Sequence, residues 1–364
     1  MNILCLISSL QGGGAERVMT WLSAGLVERG HRVTLACHED GSDYPVYGRP
    51  PGVDLRYLNL LAPSTSLWHG LAANLHRIQS LRRLYQDVDP AVVVSFMDRT
   101  NILAIAAGIG TGYPIVASEH TDPRGDSLSE AWGLGRRLLY PQCSRLVLLS
   151  EGLRRWFAAS LQARIHVIAN PVILFPGEAI DLPPVGQKRL LAVGRLEPVK
   201  GFDLLLKAFA RLAPTFPDWD LRIQGEGTER GNLEGLVLHL GLRDRVDLPG
   251  HTSDPGPVFR GANLFVLSSR FEGFPMALVE AMGVGLPTVA TACTSAISEI
   301  LDEGRSGLLV APESVDSLVE GLARLMGDAE QRKAFGQAGR LVAERYAPAA
   351  ILDQWEAILQ EATA

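Results

Sequence analysis

Short apolar runs alternate with longer helix-period segments along this chain, and no other feature restricts its fold as much. Residues 3–7 read as a buried strand, 15–29 as a helix and 32–37 as the next strand. Further strand candidates lie at 92–95, 115–118, 146–149 and 165–168. These runs are apolar throughout, as in parallel strands covered on both faces by crossover helices. The rhythm stops at a turn-prone stretch, 170–184, which holds Pro171, Pro176, Pro183 and Pro184, and then starts again. The second series places strands at 189–193, 221–224, 245–248, 264–267, 288–290 and 307–310, with a helix near 204–212. At 364 residues, 47% of them hydrophobic, the chain can fill two cores. The expected architecture is α/β: two facing doubly wound, Rossmann-like domains over 1–172 and 185–346, with an interdomain cleft. Ligands of such sheets bind outside the carboxyl ends of the strands, so the strand-end loops are where chemistry is sought.

The richest of these loops follows the run at 264–267. It carries Glu272, Gly273, Phe274 and Pro275, and Glu280 stands eight positions after Glu272. Gly273 permits a tight turn, and Pro275 falls where the first helical residue is expected, since its missing N–H is not needed there. A helix start presents unpaired N–H groups and suits a diphosphate. Ionised carboxylates accept hydrogen bonds from neighbouring hydroxyls, so Glu272 in the loop and Glu280 in the helix could hold different parts of one sugar-containing ligand. The plainer reading makes both ordinary solvated acids. A second loop, Gly194-Arg195 through Lys200-Gly201, follows a strand and precedes a helix. Its two cations either hold a diphosphate or are merely solvated.

The stretch around Glu272 and Glu280 resembles the E-x7-E signature of the retaining family-4 glycosyltransferases, with the flanking Gly-Phe-Pro and Glu-Ala-Met, and the likeness runs along nearly the whole chain. The resemblance implies the GT-B fold, a sugar contact for Glu272 and a ribose contact for Glu280. It also implies a phosphate-binding role for Gly194, Arg195 and Lys200, and a terminal helix over 347–364 that packs back on the first domain. Gly13 and Gly14, in Gln11-Gly12-Gly13-Gly14-Ala15-Glu16-Arg17, match the family's loop toward donor phosphates and acceptor. From spacing alone this loop partly imitates a dinucleotide fingerprint with Glu39 as its acid, but Arg17 occupies the place of the third small residue. His120 ends a strand. It is either structural or, as the resemblance suggests, a contact near the reacting sugar. Gly225, Glu226 and His251 sit in strand-end loops expected to shape the nucleotide pocket, with a surface role for Glu226 left open.

No cofactor is expected, because the nucleotide sugar is itself a substrate, and no metal is expected either. Asp87-Val88-Asp89 and Asp218-Trp219-Asp220 look like metal-binding Asp-x-Asp motifs but read as turn chemistry ahead of apolar runs. The four cysteines are scattered and read as reduced, and no signal peptide is visible. Residues 101–118 carry no charge, yet Gly108, Gly110, Gly112 and Pro114 divide them into a helix and a strand rather than a membrane span.

Residues 1–170 hold 16 Arg, no Lys and 14 acids, about +2, which leaves about −8 for the remainder of a chain of net charge −6. Residues 127–145 and 152–161 mix Arg136, Arg137, Arg145, Arg154 and Arg155 with Trp132, Leu134, Leu138 and Trp156. That face either packs as an ordinary amphipathic surface or rests peripherally on an anionic membrane. Residues 94–101 and 118–120 resemble bacterial transferases that extend polyisoprenyl-diphosphate-linked glycans. The expected partners are a nucleotide-sugar donor, UDP-linked by resemblance, and a lipid-linked or polysaccharide acceptor, with no nucleic acid. The expected location is cytoplasmic, peripheral on the inner face of the membrane if the basic face binds there. Competing readings are a nucleotide-sugar 2-epimerase and a non-catalytic nucleotide-sugar-binding protein.

Overall fold

A computed structural model describes residues 1–61, 67–120, 129–172, 175 and 187–364. Its contacts separate two units, Met1–Asn170 with Ala349–Ala364, and Pro171–Pro348. Most of the proline-rich stretch 170–184 lies outside the described residues, as do Thr121 and Asp122 beside His120.

The first unit holds a parallel seven-stranded sheet of β1 (Asn2–Ile7), β2 (Arg32–Cys37), β3 (Asp54–Tyr57), β4 (Val92–Phe96), β5 (Ile115–Glu119), β6 (Arg145–Leu148) and β7 (Ile165–Val167). Their spatial order is β3-β2-β1-β4-β5-β6-β7. One face packs on the helix Gly14–Glu28 and on the terminal helix Pro348–Thr363, whose Trp355 and Ile358 are buried against β1 and β4. Arg29 fastens that helix from outside, pairing with Asp353 at 2.5 Å and Glu356 at 2.7 Å. The other face packs on Leu67–Val88 and Asp98–Gly108.

The second unit repeats the plan with β8 (Lys188–Val193), β9 (Trp219–Gln224), β10 (Val246–Gly250), β11 (Leu264–Leu267), β12 (Thr288–Thr291) and β13 (Leu308–Val310), ordered β10-β9-β8-β11-β12-β13 and parallel throughout. Its core joins Leu190, Phe209, Trp219, Leu264, Val289 and Leu322 from the strands and from helices Phe202–Leu212 and Val315–Gly327. Both sheets are doubly wound. In each the chain lays strands outward one way, then returns to the centre and proceeds the other way. The reversal falls between β1 and β4 in one sheet and between β8 and β11 in the other.

The apolar-run reading of the sequence does not mark β3, Leu67–Val88 or the helices Arg230–His239, Val315–Gly327 and Ala329–Ala343. β3 is an edge strand without a fully buried residue, and Leu67–Val88 mixes apolar and polar residues, burying Leu81, Leu84 and Tyr85. The uncharged stretch at 101–118 divides as expected, into the end of helix Asp98–Gly108 and β5. Among the described residues no helix is long and apolar enough to cross a membrane.

Candidate functional site

In the second sheet β8 and β11 are neighbours, with Leu190 opposite Leu264 and Leu191 opposite Phe265. Their following loops therefore leave side by side at the reversal point, where open α/β sheets bind ligands. The loop after β8 ends in a short 3-10 turn, Pro198–Lys200, and then Gly201 with φ 64°. A side chain at Gly201 would meet the Ser268 carbonyl oxygen at 2.2 Å, so glycine lets the two loops touch. The Arg270 N–H donates to Val199 O at 2.8 Å, and the Ser268 hydroxyl donates to Lys200 O at 2.9 Å. The Arg270 guanidinium donates to Pro198 O at 2.6 Å and to both Asp203 oxygens at 2.8 and 2.9 Å. Two loops far apart in sequence thus form one braced piece.

The bracing brings the Lys200 ammonium to 2.7 Å from Glu272 Oε1, and the Ser269 hydroxyl donates to the same oxygen at 2.6 Å. The side chains are 20% and 8% exposed, respectively. A carboxylate this buried needs compensation, and the ammonium and hydroxyl supply it. Oε2 has no protein partner among the described residues and remains able to accept a hydrogen bond. Cys293 adjoins the pair. Its thiol is pushed up to about 11, by burial first and by the Glu272 charge second.

Glu280 is 5% exposed, on the helix Met276–Gly283 among Leu278, Val279, Ala281 and Met282. Neither glutamate is a solvated surface acid. The helix begins at Met276, so Pro275 precedes its first residue rather than occupying it. Phe274 is nearly buried, its ring 5.6 Å from that of Tyr346, so it serves packing beside Gly273.

The loop after β9 joins the same piece. Gly194 N donates to Gln224 O at 3.0 Å and Leu196 N to Glu226 O at 2.8 Å. Gly225 has φ 153°, and a Cβ there would lie 1.9 Å from the Gly194 oxygen. The Glu226 carboxylate is engaged by Arg230 at 2.5 and 2.8 Å, which holds it below the usual carboxylate range. It is an ion pair on an exposed rim. Exposed His251 follows β10 and bears electrostatically on Glu226. Arg195 is also exposed, and its guanidinium makes no hydrogen bond or ion pair among the described residues.

In the first unit His120 follows β5. Its Nε2 lies 3.1 Å from the Ser118 hydroxyl, its ring is 4.3 Å from that of Phe96, and Nδ1 is buried without a partner among the described residues. Burial pushes this imidazole down to about 3, so it is neutral near pH 7. A buried polar cluster adjoins it. The Ser95 hydroxyl donates to Asn101 Oδ1 at 2.7 Å, Asn101 Nδ2 to Ser118 O at 2.8 Å, and the Tyr140 hydroxyl to Glu119 Oε2 at 2.6 Å. Gly13 caps the helix that Gly14 begins, and a Cβ on Gly13 would strike the Glu16 carboxylate. Glu39 is turned inward to this loop, accepting from Leu10 N at 3.1 Å and from Gln11 Nε2 at 3.3 Å.

The helix Glu130–Leu139 buries none of its residues, and Leu134, Leu138 and Trp156 are exposed. Beside it lies a recess of about 490 Å³ whose lining includes Arg136, Arg137, Arg155 and Trp156 and, among the described residues, no carboxylate. The Asp-x-Asp lookalikes are occupied by protein partners. Asp87 meets Arg56, Asp89 accepts from Tyr113, Asp218 pairs with Lys188, and Asp220 receives two bonds from Arg189.

Sequence reasoning missed Ser269, the Asp203–Arg270 brace and the Asn101–Tyr140–Glu119 cluster. Ser269 had one signal, its position three residues before Glu272. Asp203 and Arg270 had none, because 67 residues separate them.

Comparison with known proteins yields a consistent set of matches. Residues 12–174 match the model of glycosyltransferase family 4, and residues 179–342 that of glycosyl transferases group 1. An uncharacterized glycosyltransferase of Haemophilus influenzae is 27% identical over 349 residues, 95% of this chain and 96% of that one. A Campylobacter jejuni α-1,4-N-acetyl-D-galactosaminyltransferase, whose name specifies a diNAcBac-PP-undecaprenol-linked acceptor, is 25% identical over 99% of each chain. Among solved structures, sucrose-phosphate synthase of Thermosynechococcus elongatus has a TM-score of 0.84 at 20% identity over 99% of each chain. HepE of Anabaena in complex with UDP-glucose has a TM-score of 0.77 at 17% identity, with 99% of each chain covered.

Proposed function

Because this chain belongs to family 4 of the glycosyltransferases and has their GT-B fold, we propose that it transfers a hexose or N-acetylhexosamine from a nucleotide sugar to a hydroxyl of a lipid-linked glycan or polysaccharide, retaining the anomeric configuration and needing no metal. The observation that carries this reading is the Lys200–Glu272 pair, held on adjacent strand-end loops where the second sheet reverses. A sugar diphosphate brings both the charge and the hydroxyls that such a pair can hold.

Lys200 and Arg195 meet the diphosphate, Glu272 Oε2 accepts from a sugar hydroxyl, and Glu280 from the ribose. As the anomeric C–O bond to the diphosphate breaks, negative charge grows on the departing oxygen. Fixed cations stabilise it, each charge-assisted hydrogen bond contributing roughly 1.5–3 kcal/mol. The acceptor hydroxyl attacks from the face the leaving group vacates and passes its proton to a diphosphate oxygen. His120, being neutral, orients a hydroxyl and does not supply charge. UDP as the nucleotide is supported by the UDP-glucose complex of HepE, and a lipid-linked acceptor by the name of the Campylobacter relative. The arginine-lined recess, with exposed Trp156 in its lining and exposed Leu134 and Leu138 on the adjoining helix, supports a peripheral contact with an anionic membrane.

The test is release of nucleoside diphosphate from a panel of UDP- and GDP-sugars, with and without membrane extract, and with chelator in parallel. Acceptor-dependent release from a UDP-sugar that chelator does not abolish is expected, together with a product of unchanged anomeric configuration. A free 2-epimer formed without acceptor would overturn the transferase reading, and tight binding without turnover across the panel would make the chain a binding protein.

A further inference from the structure

A second recess, on the first unit, plays no part in the donor chemistry above. It encloses about 360 Å³ beside the carboxyl ends of β1 and β2, with Ser9, Gln11, Glu39, Asp43, Asn59 and Leu61 in its lining. We propose that this recess binds a neutral pyranose unit of the acceptor glycan. The assignment to an acceptor rests on the transferase reading, while the chemical class of the ligand rests on the recess itself.

The lining argues against an anion and against a metal ion. Among the described residues no lysine or arginine lines the recess, while three carboxylates do, Asp40 being the third, so a phosphate or a uronic acid would be repelled. A metal ion is not favoured either, since no group of three His, Cys, Asp or Glu among the described residues is arranged to hold one. A ligand rich in neutral hydroxyls fits the lining, because hydroxyls both donate to carboxylates and accept from amides.

Several of these groups are already fixed. Buried Glu39 is held by Leu10 N and Gln11 Nε2, and the Gln11 N–H donates to Ser9 Oγ at 3.0 Å. The Asp40 carboxylate accepts from Ser42 N at 2.9 Å. Glu39 thus uses one position on each oxygen and keeps others. The Asp43 carboxylate and Asn59 amide make no hydrogen bonds among the described residues, so both can serve a ligand. Preorganised groups lose little freedom on binding, which favours a small ligand.

An apolar component stands beside them. Leu61 lines the recess and is exposed, and Tyr44, Val46 and Tyr47 are exposed on the segment that follows Asp43. Val46 N donates to Leu10 O at 3.1 Å, which fastens this segment to the loop after β1. Pyranoses have C–H faces that pack on such side chains while their hydroxyls take the polar groups. The volume falls in the range of small-ligand sites, roughly 300–1,000 Å³. Gln11, at its wall, leads directly into the Gly12–Gly14 loop.

The test uses the full chain without any nucleotide sugar, so its outcome does not depend on donor chemistry. Ligand-observed saturation-transfer NMR is run with methyl glycosides of neutral hexoses and N-acetylhexosamines, and with glucose 6-phosphate and methyl glucuronide as charged controls. Neutral glycosides are expected to receive saturation and the charged ones not. Asp43→Ala and Asn59→Gly should each weaken binding about tenfold, the loss of one hydrogen bond to a charged or preorganised group. Glycine is chosen at Asn59 because its φ of 51° would strain alanine. Both positions are exposed, so unchanged thermal unfolding identifies lost contact rather than lost fold. Absence of saturation for every neutral glycoside, or binding that both substitutions leave intact, overturns the proposal. If glycosides bind here while no nucleotide sugar turns over, the recess stands and the transferase reading falls.

Discussion

The two sheets share one winding plan but furnish their central strand ends with different chemistry. In the second unit the loops after β8 and β11 bring a lysine and a glutamate into contact at 2.7 Å, with Arg195 exposed on the same loop. In the first unit the ends of β4 and β5 carry Ser95, Glu119 and the neutral imidazole of His120, and Asn101 and Tyr140 from neighbouring elements join them through short hydrogen bonds. Topology decides where a ligand can sit, and the strand-end residues decide which ligand. A charge pair with an unpaired guanidinium suits an anionic leaving group. A buried hydrogen-bonded cluster around an uncharged imidazole suits hydroxyls.

Breaking the charged side should have the largest effect. Glu272→Ala removes the proposed sugar contact and leaves Lys200 without its partner, so steady-state transfer should fall by about 100- to 1,000-fold. A variant retaining full turnover would remove the pair from the mechanism. Gly201→Ala tests whether the two loops must touch. Its Cβ would lie 2.2 Å from a backbone oxygen at φ 64°, so thermal or urea unfolding should show a loss of roughly 2–4 kcal/mol. Arg195→Ala should lower kcat by about ten- to hundredfold with no change in melting temperature, because the side chain is exposed and supports nothing else.

The neutral side is sharpened by pH. His120 is held near 3 and His38 near 4, both mainly by burial, against about 6.5 when unfolded. Below 6.5 the unfolded chain binds more protons than the folded one. Their contribution to stability is therefore intact above pH 6.5 and declines as pH falls toward 4 and 3. Each fully depressed group contributes a slope of about 1.4 kcal/mol per pH unit within that window. Urea unfolding of His120→Gln between about pH 4 and 6 should show a shallower dependence than the native chain. An identical slope would mean that the imidazole is not buried as described. The smallest effect is expected from Glu226→Gln, since Arg230 already engages that carboxylate. Nucleotide-sugar turnover should stay within about threefold of native.

The difference between the regions also explains what could be read beforehand. Strands β2 and β11 are legible to the residue, and most other strands to within one or two residues, because parallel strands buried on both faces leave long apolar runs. β3 and Leu67–Val88 lack such runs and escape notice. Glu272 and Lys200 stand out as residues of the right type at strand ends, whereas Ser269 and the Arg270–Asp203 brace do not. Their importance comes from who lies beside them.

The sequence by itself determined the class of fold, the restart of the pattern, and the loops on which ligand-binding groups must lie, because periodicity and turn residues act over a few positions. The tertiary structure alone decided how those groups are used. It joined Lys200 to Glu272 across 72 residues, gave Glu226 to Arg230 and Glu39 to its own loop, and left Arg195 unpaired among the described residues. The physical reason is that ion pairing and desolvation fall off within a few ångströms, and distances between loops are set by strand order, which no local pattern records.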